Sequence, residues 1–150
     1  MRPALLAPAL FALGLGMAAP VFAQQAVVDV GVGHPLRKPI LDGLRPAIEA
    51  DLGQRVVFVV SDLRVQGDRA FFAGRPQRPN GRAIDFSRTR YAEALEQGVF
   101  DGPGTYALLR RVGGRWTVET FVIGPTDVAW SGWPEEFGVS WELVNLPRPQ

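Results

Sequence analysis

Five arginines, Arg75, Arg78, Arg82, Arg88 and Arg90, fall within sixteen residues, interleaved with Pro76, Pro79, Asn80 and Gly81. Guanidinium groups take carboxylate or phosphate through paired hydrogen bonds, and a proline-bearing loop restricts how they are presented. The chemistry this predicts is capture of an anion, with Arg75, Arg78 and Arg82 as candidate contacts. The competing reading is a solvated loop whose charges pair elsewhere in the fold. Residues 62–90 carry seven Arg against three Asp, whereas residues 117–150 carry five acids against Arg148, so partners of the right sign exist.

Trp130, Trp133, Phe137 and Trp141 follow one another at spacings of three, four and four. Such rings serve as platforms for sugars and as anchors at protein interfaces, so Trp130 and Trp133 join the candidate binding residues. The same spacing suits a segment laid over one face of a sheet to close its core. Pro134 and Gly138 argue against one continuous helix there.

Catalytic sets are harder to assemble. His34 is the only histidine and there is no cysteine, so the usual ligands of a transition-metal site are missing and no cofactor is implied. His34 stands just before Pro35, where a role at the start of a helix is expected. None of Ser61, Ser87, Ser131 and Ser140 lies in a G-x-S-x-G elbow. Pairing a serine with Lys38 has no local support either. Glu135 and Glu136 are adjacent and diverge on a helix. Asp101 and Asp127 are far apart in sequence, whereas a glycosidase needs two carboxyls ~5–9 Å apart across a cleft. Turn and cap roles are expected for them.

The elements that must position these residues are read from periodicity. Leu36, Ile40, Leu44, Ile48 and Leu52 recur every four residues and predict a long helix, with Pro35 at its first position, Gly53 as its stop and a kink at Pro46. Arg55–Val65 reads as a strand, apolar on both faces over Val56–Val60 and alternating from Ser61. Gln66-Gly67-Asp68 turns it into a second strand, Arg69–Arg75. Pro76–Phe86 is expected to be a loop. Ser87 or Thr89 can cap a short helix through Gln97, stopped by Gly98. Thr105–Val112 and Arg115–Ile123 form the clearest hairpin, joined by Gly113-Gly114. Pro134 opens a helical turn that Gly138 closes.

The order helix, hairpin, short helix, hairpin predicts an α+β domain. Its expected form is a long N-terminal helix packed on a four-stranded antiparallel sheet, with a Trp-rich C-terminal segment. Over Pro35–Ile123 this order is similar to cystatin-like and nuclear-transport-factor-2-like domains, a resemblance of shape that implies no particular activity. The stretch Val57–Pro79, together with Phe100-Asp101-Gly102-Pro103 and Gly124-Pro125-Thr126-Asp127-Val128, resembles small uncharacterised exported bacterial proteins. That resemblance implies a location outside the cytoplasm.

The first residues carry the same implication. Arg2, the apolar run Ala4–Ala19 and Val21-Phe22-Ala23 have the layout of a secretory signal peptide cut after Ala23. The alternative is a membrane anchor, but the run spans only sixteen residues and holds Pro8, Gly14 and Gly16. Cleavage leaves Gln24–Gln150, 127 residues, enough for one domain with a folded core over 34–146. Without Arg2 there are fifteen basic and fifteen acidic residues, a net charge of zero that suits nucleic acid poorly.

The reading that follows is a periplasmic or secreted, non-catalytic module binding an envelope protein or an anionic envelope component, with no stable membrane span after processing. The alternative is a small enzyme or ligand-binding protein with a pocket on a concave sheet face, served by Asp62, Arg64, Arg110 or Glu119. A third is an inhibitory domain using a sheet edge or hairpin turn.

Overall fold

Strand β1 (Val28–Asp29) opens the part of the chain that the computed structural model describes, residues 25–150. The expected signal peptide and its cleavage point before Gln24 lie outside the described residues. Helix α1 (Arg37–Leu52) follows, then strands β2 (Val57–Gln66) and β3 (Arg69–Gln77), a 3-10 turn at Phe86–Arg88, helix α2 (Ala92–Glu96), strands β4 (Thr105–Val112) and β5 (Arg115–Ile123), and helix α3 (Trp133–Phe137). The strands pair antiparallel in the order β1-β2-β3-β4-β5.

This corrects the expected architecture. The sheet has five strands, not four, and a strand rather than a long N-terminal helix begins the described chain. Among the described residues only α1, with 16 residues, exceeds a turn or two; α2 and α3 have five each. A two-residue strand is too short to show alternation. It forms because Val28 and Asp29 find Val65 and Arg64 on β2. Pro76, expected in a loop, pairs with Phe58 inside β3, so the loop starts only after Gln77.

The sheet is covered on both faces. Ile40, Leu44, Ile48 and Leu52 form one stripe of α1, and all four are buried against Leu63, Val65, Phe72, Leu109 and Trp116. On the opposite face Phe71, Ala73 and Leu108 are buried under Trp133, Leu143 and Val144 of the C-terminal segment. Burying one such side chain contributes about 1.5–3 kcal/mol, so each layer is a substantial core. The concave pocket on an open sheet face is therefore filled by side chains of this chain.

Two β-bulges keep the apolar residues on the correct faces. Register slips between Val60 and Asp62 on β2, so Ser61 is an extra residue and Leu63 and Val65 return to the α1 side with Phe58 and Val60. A second slip opposite Leu108 and Leu109 makes Glu119 the extra residue of β5. That bulge meets Arg69, whose Nη1 donates to Glu119 Oε2 at 2.7 Å and also to the Phe137 carbonyl at 3.2 Å. The pair thus ties the sheet to the end of α3. Both side chains are only about a fifth exposed, between a surface and a buried pair. Glu119→Ala is expected to cost about 1 kcal/mol in urea unfolding, because Arg69 loses its closer counter-charge but keeps the Phe137 carbonyl and Asp68, whose Oδ1 lies 3.6 Å from its Nε.

His34 starts α1 by accepting the Leu36 amide on Nδ1 at 3.1 Å, and Gly53 ends it in the left-handed conformation at φ 64°. The helix end is pinned laterally by Asp51. Its Oδ2 accepts from the Tyr91 hydroxyl at 2.7 Å and its Oδ1 pairs with Arg90 at 2.7 Å. Burial, reinforced by the hydrogen bond to Asp51, pushes the Tyr91 phenol up to about 12. A free phenol titrates near 10. The folded state thus holds the proton more tightly, and the associated stability is complete below about pH 10. It is lost as pH rises from there through about 12. Alkaline unfolding curves should show this loss in the native protein and not in Tyr91→Phe.

Candidate anion-binding cleft

The C-terminal end of α1 leads into Gly53-Gln54-Arg55, and this short connection forms one wall of a cleft of about 510 Å³. The opposite wall is built from Arg78, Pro79 and Asn80, which follow β3, and from Asp85 and Arg88 at the 3-10 turn. Gln54 fixes the two walls together. Its Nε2 donates to the Asp85 carbonyl at 3.0 Å, and its Oε1 accepts from the Asp85 amide at 3.1 Å. A side-chain amide bonded twice to one backbone residue sets both separation and orientation of the segments it joins.

The Arg78 side of the cleft is equally well held. The Arg78 amide donates to the Arg82 carbonyl at 2.8 Å, and the Gly81 amide donates back to the Arg78 carbonyl at 2.8 Å. Gly81 takes φ 79°, which closes the turn at little cost only for glycine. Asn80 Oδ1 accepts the Arg82 amide, and Arg78 Nε donates to the Ala83 carbonyl at 2.9 Å. The Arg78 fork is thus oriented by one of its nitrogens while the terminal nitrogens remain unengaged within the described residues.

Arg55, Arg78 and Arg88 bring three positive charges to this cleft, and among the described residues none forms an ion pair. Asp85 is the sole carboxylate in the lining, and its Oδ1 is occupied by the Ser87 amide and hydroxyl. Proximity to the C-terminal carbonyls of α1 favours cations there. That accounts for tolerance of the arginines without satisfying their donors.

The residues singled out by the arginine run separate in the structure. Arg78 lines the cleft. Arg75 lies on β3 opposite Val59 and borders a different, smaller cavity of about 300 Å³ with Pro76, Ile84 and Pro103. Arg82 is exposed beyond the turn and lines neither. Arg90 is taken up by Asp51. The acidic C-terminal third does not neutralise this run: among the described residues its only carboxylate in an ion pair is Glu119, with Arg69. Arg88 belongs to the arginine run without being one of its three candidate contacts, and Arg55 lies outside the run because it reads as the start of a strand.

Trp130 and Trp133 are not a surface platform. Trp133 is buried, edge-on to Phe71 at 6.5 Å. Trp130 is stacked on Tyr106 with ring centroids 3.5 Å apart. The strand ionisable groups that an enzymatic pocket would use are committed to the C-terminal segment or to one another. Arg64 pairs with Asp62 and donates to the Glu142 carbonyl, Asp62 accepts from Asn145, and Arg110 pairs with Asp68. Among the described residues there is no group of three or more His, Cys, Asp or Glu able to hold a metal ion, and no helix long and apolar enough to cross a membrane.

Comparison with protein-family models, with curated proteins and with solved structures finds no match.

Proposed function

We propose that this protein is a non-catalytic module of the bacterial periplasm or exterior, released by cleavage after Ala23, that captures an anionic component of the cell envelope. The observation that carries the reading is the convergence of Arg55, Arg78 and Arg88, without ion-pair partners among the described residues, on one braced cleft. Arg78 is held by the Ala83 carbonyl, and a guanidinium oriented in this way loses less entropy on binding an anion. The signal-peptide layout of residues 1–23 supports the location.

The test is co-sedimentation of the purified protein with isolated envelope fractions at low and high salt. Arg55→Gln, Arg78→Gln and Arg88→Gln combined should release it, because each charge-assisted bond lost costs about 1.5–3 kcal/mol, about tenfold or more in affinity. Arg75→Gln with Arg82→Gln, which lie outside the cleft, should bind as the native protein does. Melting temperatures of both variants should stay close to native, since among the described residues none of these arginines forms an ion pair and the one side-chain hydrogen bond lost, from Arg78 Nε to the Ala83 carbonyl, is exposed. Undiminished sedimentation of the triple variant would sink the reading.

A further inference from the structure

The chemistry of the cleft lining narrows what the anion is, on the reading that this cleft binds one. We infer that it takes a phosphate monoester carried on a hydroxyl-bearing group, such as a sugar phosphate, in preference to a carboxylate. Three arginines and one aspartate give the lining a net charge of two positive. A phosphate monoester carries about −1.5 to −2 at neutral pH and has three terminal oxygens. A carboxylate offers one charge and two oxygens, so it leaves one guanidinium unmatched. Each guanidinium of the lining offers planar, two-point recognition of phosphate oxygens.

The other half of the ligand is specified by Asp85 and Asn80. Asp85 Oδ1 serves Ser87, while Oδ2 has no hydrogen-bond partner among the described residues. An ionised carboxyl oxygen only accepts, so the ligand must present a donor, and it repels the phosphate toward the arginines. Asn80 uses Oδ1 for the Arg82 amide and leaves its NH₂ as a donor. With an acceptor on Asp85 and a donor on Asn80, the lining suits a ligand whose groups both give and receive hydrogen bonds, as hydroxyls do. Pro79 and Leu52 supply apolar walls suited to a ring. A volume of about 510 Å³ leaves room for such a group beyond the phosphate.

The deciding experiment is calorimetric titration of the native protein with glucose 1-phosphate, inorganic phosphate, glucuronate and glucose. Glucose 1-phosphate should bind about tenfold more tightly than inorganic phosphate or glucuronate, and glucose should not bind measurably. Arg55→Gln and Arg88→Gln should each weaken it about tenfold, with Arg115→Gln on the far hairpin as the unchanged control. Asp85→Asn should reduce the advantage of glucose 1-phosphate over inorganic phosphate, with a melting curve showing that the cleft is still folded.

Glucuronate binding as tightly as glucose 1-phosphate would overturn the phosphate assignment and leave anion capture standing. No binding of any of the four, with envelope sedimentation still dependent on Arg55, Arg78 and Arg88, would overturn the sugar-phosphate assignment alone. Loss of that arginine dependence would remove both readings. Vesicles of phosphatidylcholine doped with phosphatidylinositol 4-phosphate, a monoester on a hydroxyl-bearing ring, separate the two sources of the ester. Co-sedimentation with them, and not with phosphatidylinositol vesicles, places the monoester on a lipid. Binding of glucose 1-phosphate without vesicle binding places it on a soluble compound.

Discussion

Gly43→Ala is expected to destabilise this protein by about 2–3 kcal/mol, although the same exchange in an exposed helix normally gains about 0.5–1 kcal/mol. A Cβ at Gly43 would lie 2.3 Å from the Trp116 carbonyl oxygen and 2.9 Å from its carbonyl carbon. The obstacle is backbone, not a side-chain tip that can rotate. Trp116 is registered against Arg111 of β4, so the strand cannot yield without disturbing its ladder. The remaining escape is to lift α1 off the sheet, which loosens Ile40 and Leu44, both fully buried. Urea unfolding of the variant measures the balance. Gly31→Ala is the control: it meets no atom within 4 Å and should be nearly neutral. A stable Gly43→Ala protein would mean that α1 does not seat on β5 at this distance.

How much of this architecture can be read from the residues depends on how local the cause is. The four-residue spacing of Ile40, Leu44, Ile48 and Leu52 has a cause within one helix, and all four are buried as a stripe. Gly113-Gly114 is equally local, with φ of 56° and 78° in the turn of the β4–β5 hairpin. The third layer is not local. Trp130, Val144 and the residues between them show no single period, and they settle where β3 and β4 leave an apolar face. A sign of that face was present in Ala70-Phe71-Phe72-Ala73 and Leu108-Leu109, since consecutive apolar residues on a strand point to both sides. The bulges at Ser61 and Glu119 depend on partner strands and leave no pattern of their own. The cleft follows the same rule. Arg78 stands out in its proline-bearing loop, but its partners Arg55 and Arg88 come from segments that only the Gln54–Asp85 bracket brings together.

Trp133→Ala is expected to cost about 3–5 kcal/mol, the loss typical of truncating a buried large ring. Trp133 is 6 % exposed and stands edge-on to Phe71 and to Phe137, at 6.5 and 6.4 Å. A segment near the end of a chain can also detach locally, and the cost of a mutation in it is then capped by the free energy of its own docking. The anchors argue against early detachment. Ser140 donates to Gln66, Asn145 to Asp62, Arg64 to the Glu142 carbonyl and Arg69 to the Phe137 carbonyl, so β2 and β3 both hold the segment. Detachment would also expose Phe71 and Leu108, which are 1 % and 0 % exposed. The expected result is therefore a single urea transition, shifted to lower denaturant, with near-ultraviolet circular dichroism and hydrogen exchange in β3 changing together. Two transitions would make residues 130–146 a separable flap over β3 and β4, in a sheet that must be stable without it. A loss below about 1 kcal/mol with one transition would remove Trp133 from the core, and with it the physical reason for both faces of β3 being apolar.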